Sequence, residues 1–101
     1  MTLTELKREF LEYLEIEKGR SILTVRNYDH YLTRFLEYAK NNDPKKLTET
    51  VVREYRLWLN RQPGTKVGRN VDTLKRKTQN YYLIALRAFL KYIRKKGFDS
   101  L

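Results

Sequence analysis

The segment from Asp72 to Gly97 constrains the fold most, because its residues describe one long helix with two unlike sides. Apolar residues recur at helical spacing and define a core-facing side, comprising Ala85, Leu86, Phe89, Leu90, Tyr92 and Ile93. At about 100° per residue, one arc of roughly 100° on the other side holds Lys77, Asn80, Ile84, Arg87, Lys91 and Arg94. The rest of the chain must therefore supply a core for this helix while leaving its cationic side outside.

The charges in this segment are concentrated and unbalanced. It contains eight lysines and arginines, and no acidic residue occurs between Asp72 and Asp99. Lys75, Arg76 and Lys77 lie at its first turns, where the helix macrodipole favours acidic residues instead. Free N–H groups together with three cations favour phosphate binding, although a solvated basic cap on a core helix explains the same residues equally well.

Three more helices are predicted ahead of this one from apolar residues at helical spacing. The first follows a capping box formed by Thr2 and Glu5 and ends at Gly19, a C′ residue. Ser21 or Thr24 caps the second helix, and Thr48 caps the third. The predicted helices cover residues 3–18, 21 or 24 to 41, 49–61 and, for the last, 73 or 77 to 96.

The longest segment without helical periodicity is 62–71, QPGTKVGRNV, which we predict to be irregular because it holds one proline and two glycines. No alternating run elsewhere predicts a strand. With 101 residues there is room for one domain with one core. The predicted fold class is therefore all-α, a small bundle of four helices forming a single domain over residues 1–101.

Net charge is +10, and it is distributed unevenly along the chain. Residues 1–50 hold nine basic and nine acidic side chains, whereas residues 51–101 hold thirteen basic and three acidic ones. A one-sided basic surface is typical of a protein that binds a polyanion. An anionic membrane would attract the same charge, but no surface stripe of Trp, Phe and Leu remains once the core is assigned, so a polyanion other than a membrane is favoured.

The second predicted helix carries a row of hydrogen-bonding groups beside its apolar stripe: Thr24, Asn27, Tyr31, Arg34 and Tyr38. Such groups suit phosphates and base edges, and they equally suit an ordinary hydrated surface. The first helix is acidic, with five acidic and three basic residues in 1–18. It is therefore not expected to lie against phosphates. Its acidic side is either solvated or docks onto a basic surface of a partner subunit.

The sequence gives no support for catalysis. Cysteine is absent, and the single histidine, His30, is predicted to be exposed, opposite the apolar stripe of its helix. No metal-binding pair, nucleophile elbow or phosphate-binding glycine loop occurs, so no metal and no cofactor are expected. Trp58 lies on an apolar face and is predicted to belong to the core rather than to a ligand site. Without a membrane-length apolar run or a signal sequence, the protein is expected to be cytoplasmic.

Two segments together resemble the N-terminal core-binding, or SAM-like, domain of tyrosine recombinases, the phage integrase and Xer family. FLEYLEIEKGRSILTVRNYDHYLTRFLEYA, residues 10–39, resembles the family's first helix, serine-containing link and T-x-x-x-Y-x-x-x-L-x-x-F run. KTQNYYLIALRAFLKYIRKKG, residues 77–97, resembles its T-x-x-x-x-L-x-x-L-R-x-F-x-x-Y pattern. Each pattern alone is largely amphipathic helix, but both occur in order, with a basic link before the second.

The resemblance implies that the chain is half of a clamp around double-stranded DNA, with the second and fourth helices approaching the major groove. Ser21 and Thr24 would then hold phosphates, and Asn27, Tyr31 and Arg34 would face the groove or backbone. In the fourth helix the implied phosphate contacts are Lys75, Arg76, Lys77 and Thr78, and the implied base-edge contacts are Gln79, Asn80, Arg87 and Lys91.

The resemblance also implies that the catalytic residues belong to a separate C-terminal domain, so that this chain would be a non-catalytic domain of an enzyme for DNA recombination and integration. The C-terminal tail after Gly97, which stops where a linker would begin, fits that expectation. Other recombinase protomers would be partners on DNA, and the isolated domain is expected to be monomeric. The alternatives are a stand-alone helical DNA-binding regulator and a protein or RNA interaction module.

Overall fold

The computed structural model describes residues 2–40, 43–67, 70–73 and 76–97. Four α-helices dominate this part of the chain, so the predicted all-α class is confirmed. They are α1 (Leu3–Ile16), α2 (Ile22–Ala39), α3 (Glu49–Asn60) and α4 (Arg76–Lys95), with a short 3₁₀ helix at Pro44–Lys46 before α3. No helix in the described ranges is both long enough and apolar enough to cross a membrane.

The segment predicted to be irregular contains a small β-hairpin, and the sequence-based interpretation of residues 62–71 was wrong on this point. Strand β1 (Pro63–Val67) pairs antiparallel with β2 (Asn70–Thr73), and the ladder is irregular between Pro63 and Lys66. Proline and glycine obscured the signal, because a two-stranded hairpin depends on its turn and backbone pairing more than on side-chain alternation. The hairpin connects α3 to α4.

Local capping explains where the helices begin. Thr2 and Glu5 form the predicted capping box, with the Thr2 N–H donating to a Glu5 carboxylate oxygen at 3.0 Å. The Thr2 hydroxyl donates to the same oxygen at 3.0 Å, and these two hydrogen bonds lower the pKa of Glu5. Ser21 caps α2 and Thr48 caps α3, each accepting from a backbone N–H three residues on. The first turns of these three helices are therefore set by short polar side chains that the sequence identifies.

The helix ends are close to prediction but fall slightly earlier. Helix α1 ends at Ile16, and Gly19 comes two residues after the C-cap with φ +62°. Helix α2 ends at Ala39, where Lys40 adopts a left-handed conformation with φ 54°. Helix α4 ends at Lys95, shortly before Gly97 with φ +90°. Positive φ is unfavourable for residues other than glycine. Lys40 is therefore an uncommon type of residue for the left-handed position at the end of a helix.

One hydrophobic core joins all four helices, and α4 contributes the largest share of it. Its buried side chains are Tyr82, Ala85, Leu86, Phe89, Leu90 and Ile93. Phe10 of α1 packs on Phe89 with ring centroids 5.6 Å apart, while Phe35 of α2 meets Tyr55 of α3 edge-on at 4.9 Å. Trp58 packs against this core, as predicted. Burying one side of α4 in this way leaves its cationic side at the surface.

Candidate nucleic-acid interface

The outer side of α4 is a continuous exposed surface, here called the α4 face and defined as Lys77, Asn80, Ile84, Arg87, Lys91 and Arg94. All six side chains are exposed, including Ile84 at 50%. In the described part of the chain, none of its four cations takes part in an ion pair; the ion pair found there joins Lys7 and Asp29 at 2.8 Å. The helical periodicity therefore predicted this face correctly, and it presents charge without an internal partner.

The start of α4 continues this charge. Arg76 and Lys77 are exposed, and the first turn of the helix has no acidic residue to match its dipole. Thr78 and Gln79 are half-buried, so they present only part of their side chains outward. Lys75, predicted as a phosphate contact, lies outside the described residues. Positive charge and helix dipole thus add at this end of α4.

The start of α2 presents the predicted hydroxyl groups, but they are engaged with each other. The Ser21 Oγ accepts from the Thr24 N–H at 3.2 Å and donates to the Thr24 Oγ1 at 3.0 Å. Asn27, one turn further along, is exposed. Ser21 and Thr24 therefore have a structural role in starting α2, while Asn27 is free to reach outward.

The middle of α2 is different, because Tyr31 and Arg34 pack inward on α4. The Arg34 Nη1 donates to the Tyr82 hydroxyl at 3.2 Å, and its guanidinium carbon lies 5.4 Å from the Trp58 ring centroid and 5.5 Å from that of Tyr82. The Tyr31 and Tyr82 ring centroids are 4.5 Å apart. Burial, together with the neighbouring tyrosines, raises the pKa of Tyr31. These two predicted site residues hold α2 against α4.

Tyr82 is the centre of the contact between α2 and α4, and the sequence analysis did not identify this residue. Tyr82 is only 4% exposed, and its hydroxyl also lies 3.1 Å from the Nε2 of His30. His30 is exposed, as predicted, yet it is connected to α4 through this hydrogen bond. No sequence signal identifies such a group, because it joins residues 48 to 52 positions apart.

The surface grooves have different charge balances. Between α2 and α3, Arg34 and Lys40 are accompanied by Glu37 and Glu54. Between α3 and α4, five cations surround a groove with one acidic residue, Glu49. A shallow groove beside α1 is lined by three glutamates and, within the described ranges, by no cation: Glu9, Glu12 and Glu17. The molecule is therefore basic along α4 and acidic along α1.

Two of the five cations between α3 and α4 were missed by sequence reasoning. Arg53 and Arg56 of α3 are exposed and line the same groove as Arg87 and Lys91. Their spacing of three residues puts them on one side of a helix, which is the one signal that the sequence offered.

The described ranges contain no group of three or more His, Cys, Asp or Glu side chains arranged to hold a metal ion.

Four helices packed around one core, with a cationic face on α4, are the class that fold and surface define in the described residues. The chain belongs to the phage integrase N-terminal SAM-like domain family, whose model matches residues 8–97. The protein is also similar to a tyrosine recombinase, XerC of Anoxybacillus flavithermus (strain DSM 21510 / WK1), with 29% identity over 83 residues. That match covers 77% of this chain and 26% of the relative, so the chain spans about a quarter of that protein's length. No solved structure gives a significant match.

Proposed function

We propose that this chain is the DNA-binding N-terminal domain of a tyrosine recombinase and that it holds double-stranded DNA with the α4 face. The observation that carries the proposal is the exposure of Lys77, Arg87, Lys91 and Arg94 along one side of a helix without ion-pair partners in the described chain. Cations arranged along a helix repel one another. A polyanion laid along the helix removes that repulsion and releases counterions, which drives binding.

The α4 face also contains groups that can read sequence. Asn80 can form two hydrogen bonds with adenine in the major groove, and Arg87 can do so with guanine. Lys77 and Arg76, at the positive end of the helix dipole, suit backbone phosphates. Thr78 and Gln79 are half-buried and border these residues. The proposed interface therefore combines phosphate contacts at the start of α4 with base-edge contacts along its middle.

In this proposal α2 serves the interface in two ways. Its first turns, with Ser21, Thr24 and Asn27, approach the DNA beside α4. Tyr31 and Arg34 fix the position of α2 through their contacts with Tyr82 and thereby set the spacing of the two helices. The Arg34 charge lies near the surface, but its hydrogen bond and ring contacts are internal.

The chemistry of strand exchange is assigned to another part of the recombinase. The tyrosine recombinase that this chain resembles is about four times as long as the matched region, and the sequence here has no catalytic motif. The domain would contribute binding and positioning to DNA recombination and integration. The acidic groove of Glu9, Glu12 and Glu17 on α1 is proposed to face other protomers rather than DNA, because phosphates would repel it.

The test is the salt dependence of binding to a short labelled duplex, measured by fluorescence anisotropy. Neutralising about six phosphates gives a slope near −5 in a plot of log K against log salt. Arg87→Ala/Lys91→Ala should weaken binding, whereas Arg8→Ala, which removes an exposed cation from α1, should not. Unchanged affinity in the α4 variant would contradict the proposal. Stronger binding to single-stranded RNA or to an acidic protein than to duplex DNA would favour an interaction module instead.

A further inference from the structure

The groove between α3 and α4 extends the cationic α4 face onto a second helix. It is lined by five exposed cationic side chains, two from α3 and three from α4: Arg53, Arg56, Arg87, Lys91 and Arg94. Val52 and Leu90 also line it, and Glu49 is its single acidic residue among those that the structure describes. The cations thus exceed the carboxylates by four in one depression.

Helix stability does not account for the two arginines of α3. They lie three residues apart on one side of the helix, where like charges repel. Neither is in the last turn of α3, where the helix dipole would favour a cation. Glu49 is four residues before Arg53, the spacing of a helical ion pair, yet no such pair forms in the described chain. The cations are therefore available to an external anion.

The alternative of a merely solvated surface is weakened by the contrast with the neighbouring groove. Between α2 and α3 the same helix α3 presents Glu54 toward Arg34, Glu37 and Lys40, so that groove holds both signs of charge. The two sides of α3 thus differ: the side toward α2 contributes the Glu54 carboxylate and no cation, whereas the side toward α4 contributes two guanidinium groups and one carboxylate, Glu49. Both cations of α3 that line a groove therefore face α4.

We infer that α3 is a third DNA-binding element, in which Arg53 and Arg56 hold phosphates of the DNA backbone in the groove shared with Arg87, Lys91 and Arg94. This inference rests on the proposed function and deepens it. Guanidinium groups bind phosphate through paired N–H donors, and contacts to phosphates carry no sequence information. Some of the α4 side chains that border the groove would then contact base edges, and the others would contact the same DNA backbone.

The geometry favours a backbone rather than a small anion. The cations come from two helices and line an open groove of about 540 Å³ with no enclosed pocket for one phosphate. Lys91 also borders a second groove, which lies on the other side of this residue. Three more cations line that second groove: Lys18, Arg20 and Lys95. A row of phosphates can follow these positions from one groove to the next, whereas a single phosphate would meet only part of the row.

The experiment compares Arg53→Gln/Arg56→Gln with the wild-type protein on two duplexes of unrelated sequence, over a range of salt concentrations. Each lost phosphate contact should reduce the salt slope by about 0.9, and the double variant should reduce it by about 1.8. Near 0.1 M salt that corresponds to a loss of affinity of roughly 60-fold, equal on both duplexes because no base is read. Arg8→Gln is the control for loss of one exposed arginine elsewhere.

The outcomes separate this inference from the proposed function. If Arg87→Ala/Lys91→Ala weakens binding and Arg53→Gln/Arg56→Gln leaves the slope unchanged, α3 is not a binding element while the α4 face is. If neither variant changes binding, the proposed function itself fails. If the α3 variant loses affinity on one duplex only, the arginines read bases and the phosphate assignment is overturned. Circular dichroism of both variants checks that they remain folded.

Discussion

Helices α2 and α4 carry similar sequence signals, polar side chains in a row beside an apolar stripe, but these side chains have different environments. On α2, Tyr31 and Arg34 pack on Tyr82 and Trp58. On α4, Arg87 and Lys91 are exposed and form no ion pair in the described chain. The difference shows that a row of hydrogen-bonding groups in the sequence indicates an available surface only when the tertiary structure leaves those groups without internal partners.

The largest expected effect is a difference in unfolding free energy between variants on the two sides of α4. Leu86 is 1% exposed in the core, and Leu86→Ala should lower the free energy of unfolding by about 2–5 kcal/mol. Its neighbour Arg87 is exposed, so Arg87→Ala should change that free energy by no more than about 0.5 kcal/mol. Urea denaturation measures both. A loss of stability in Arg87→Ala comparable to that in Leu86→Ala would show that the α4 face is structural.

The next effect tests whether Arg34 is structural. Arg34→Ala removes the hydrogen bond to Tyr82 and the contacts with two aromatic rings, and it should cost about 1–2 kcal/mol of unfolding free energy. Arg34→Lys keeps the charge but not the planar guanidinium group, so it should recover only part of that loss. Full stability in Arg34→Ala, with weakened DNA binding, would move Arg34 from the packing contact to the DNA interface.

A smaller effect is expected at the start of α2. Ser21→Ala removes the side chain that accepts from the Thr24 N–H and should cost about 1 kcal/mol in unfolding free energy. Ser21→Asp restores an acceptor but places a negative charge near the proposed phosphates. If Ser21→Asp recovers the stability but binds DNA more weakly, the result supports the assignment of the start of α2 to the DNA interface. Equal DNA affinity in the wild-type protein, Ser21→Ala and Ser21→Asp would show that this turn is not part of the interface.

The smallest effect concerns Tyr55, whose buried hydroxyl has no hydrogen-bond partner in the described structure. Tyr55→Phe should leave the free energy of unfolding unchanged or raise it slightly, by up to about 1 kcal/mol, because no satisfied bond is lost. Burial raises the pKa of Tyr55 well above its usual value of 10.0, and the nearby Arg34 opposes this only in part.

The raised pKa of Tyr55 has a consequence at alkaline pH. The unfolded chain loses the phenol proton near pH 10, whereas the folded chain retains it, so stability is intact below pH 10 and falls as pH rises above it. Tyr31, also raised, acts in the same direction. Tyr55→Phe should therefore flatten the alkaline decline of stability, measured by thermal unfolding between pH 8 and 11. An unchanged decline would contradict the assignment to Tyr55.

The features that sequence alone could predict are those set locally. Helix periodicity located the core and the exposed face of α4, and Ser and Thr caps located the starts of α2 and α3. The family pattern supplied the arrangement of the helices. These signals act within about one helical turn, or through apolar burial that any bundle requires, so they do not depend on knowing which helices are neighbours.

The features that sequence could not predict depend on such neighbours. Nothing in the sequence singled out Tyr82, because its contacts with Arg34 and His30 arise only when α2 lies beside α4. Arg53 and Arg56 belong to the basic groove because α3 turns that side toward α4. The hairpin between α3 and α4 was missed because its proline and glycines mask strand alternation.

The most direct test of the central claim is a titration of isotope-labelled protein with a short duplex, followed by amide NMR shifts at two salt concentrations. We expect shifts to cluster at the start of α2 and along residues 76–91 of α4, to extend to Arg53 and Arg56, and to weaken as salt increases. Shifts confined to the acidic side of α1, or no shifts at low salt, would contradict DNA binding by the α4 face.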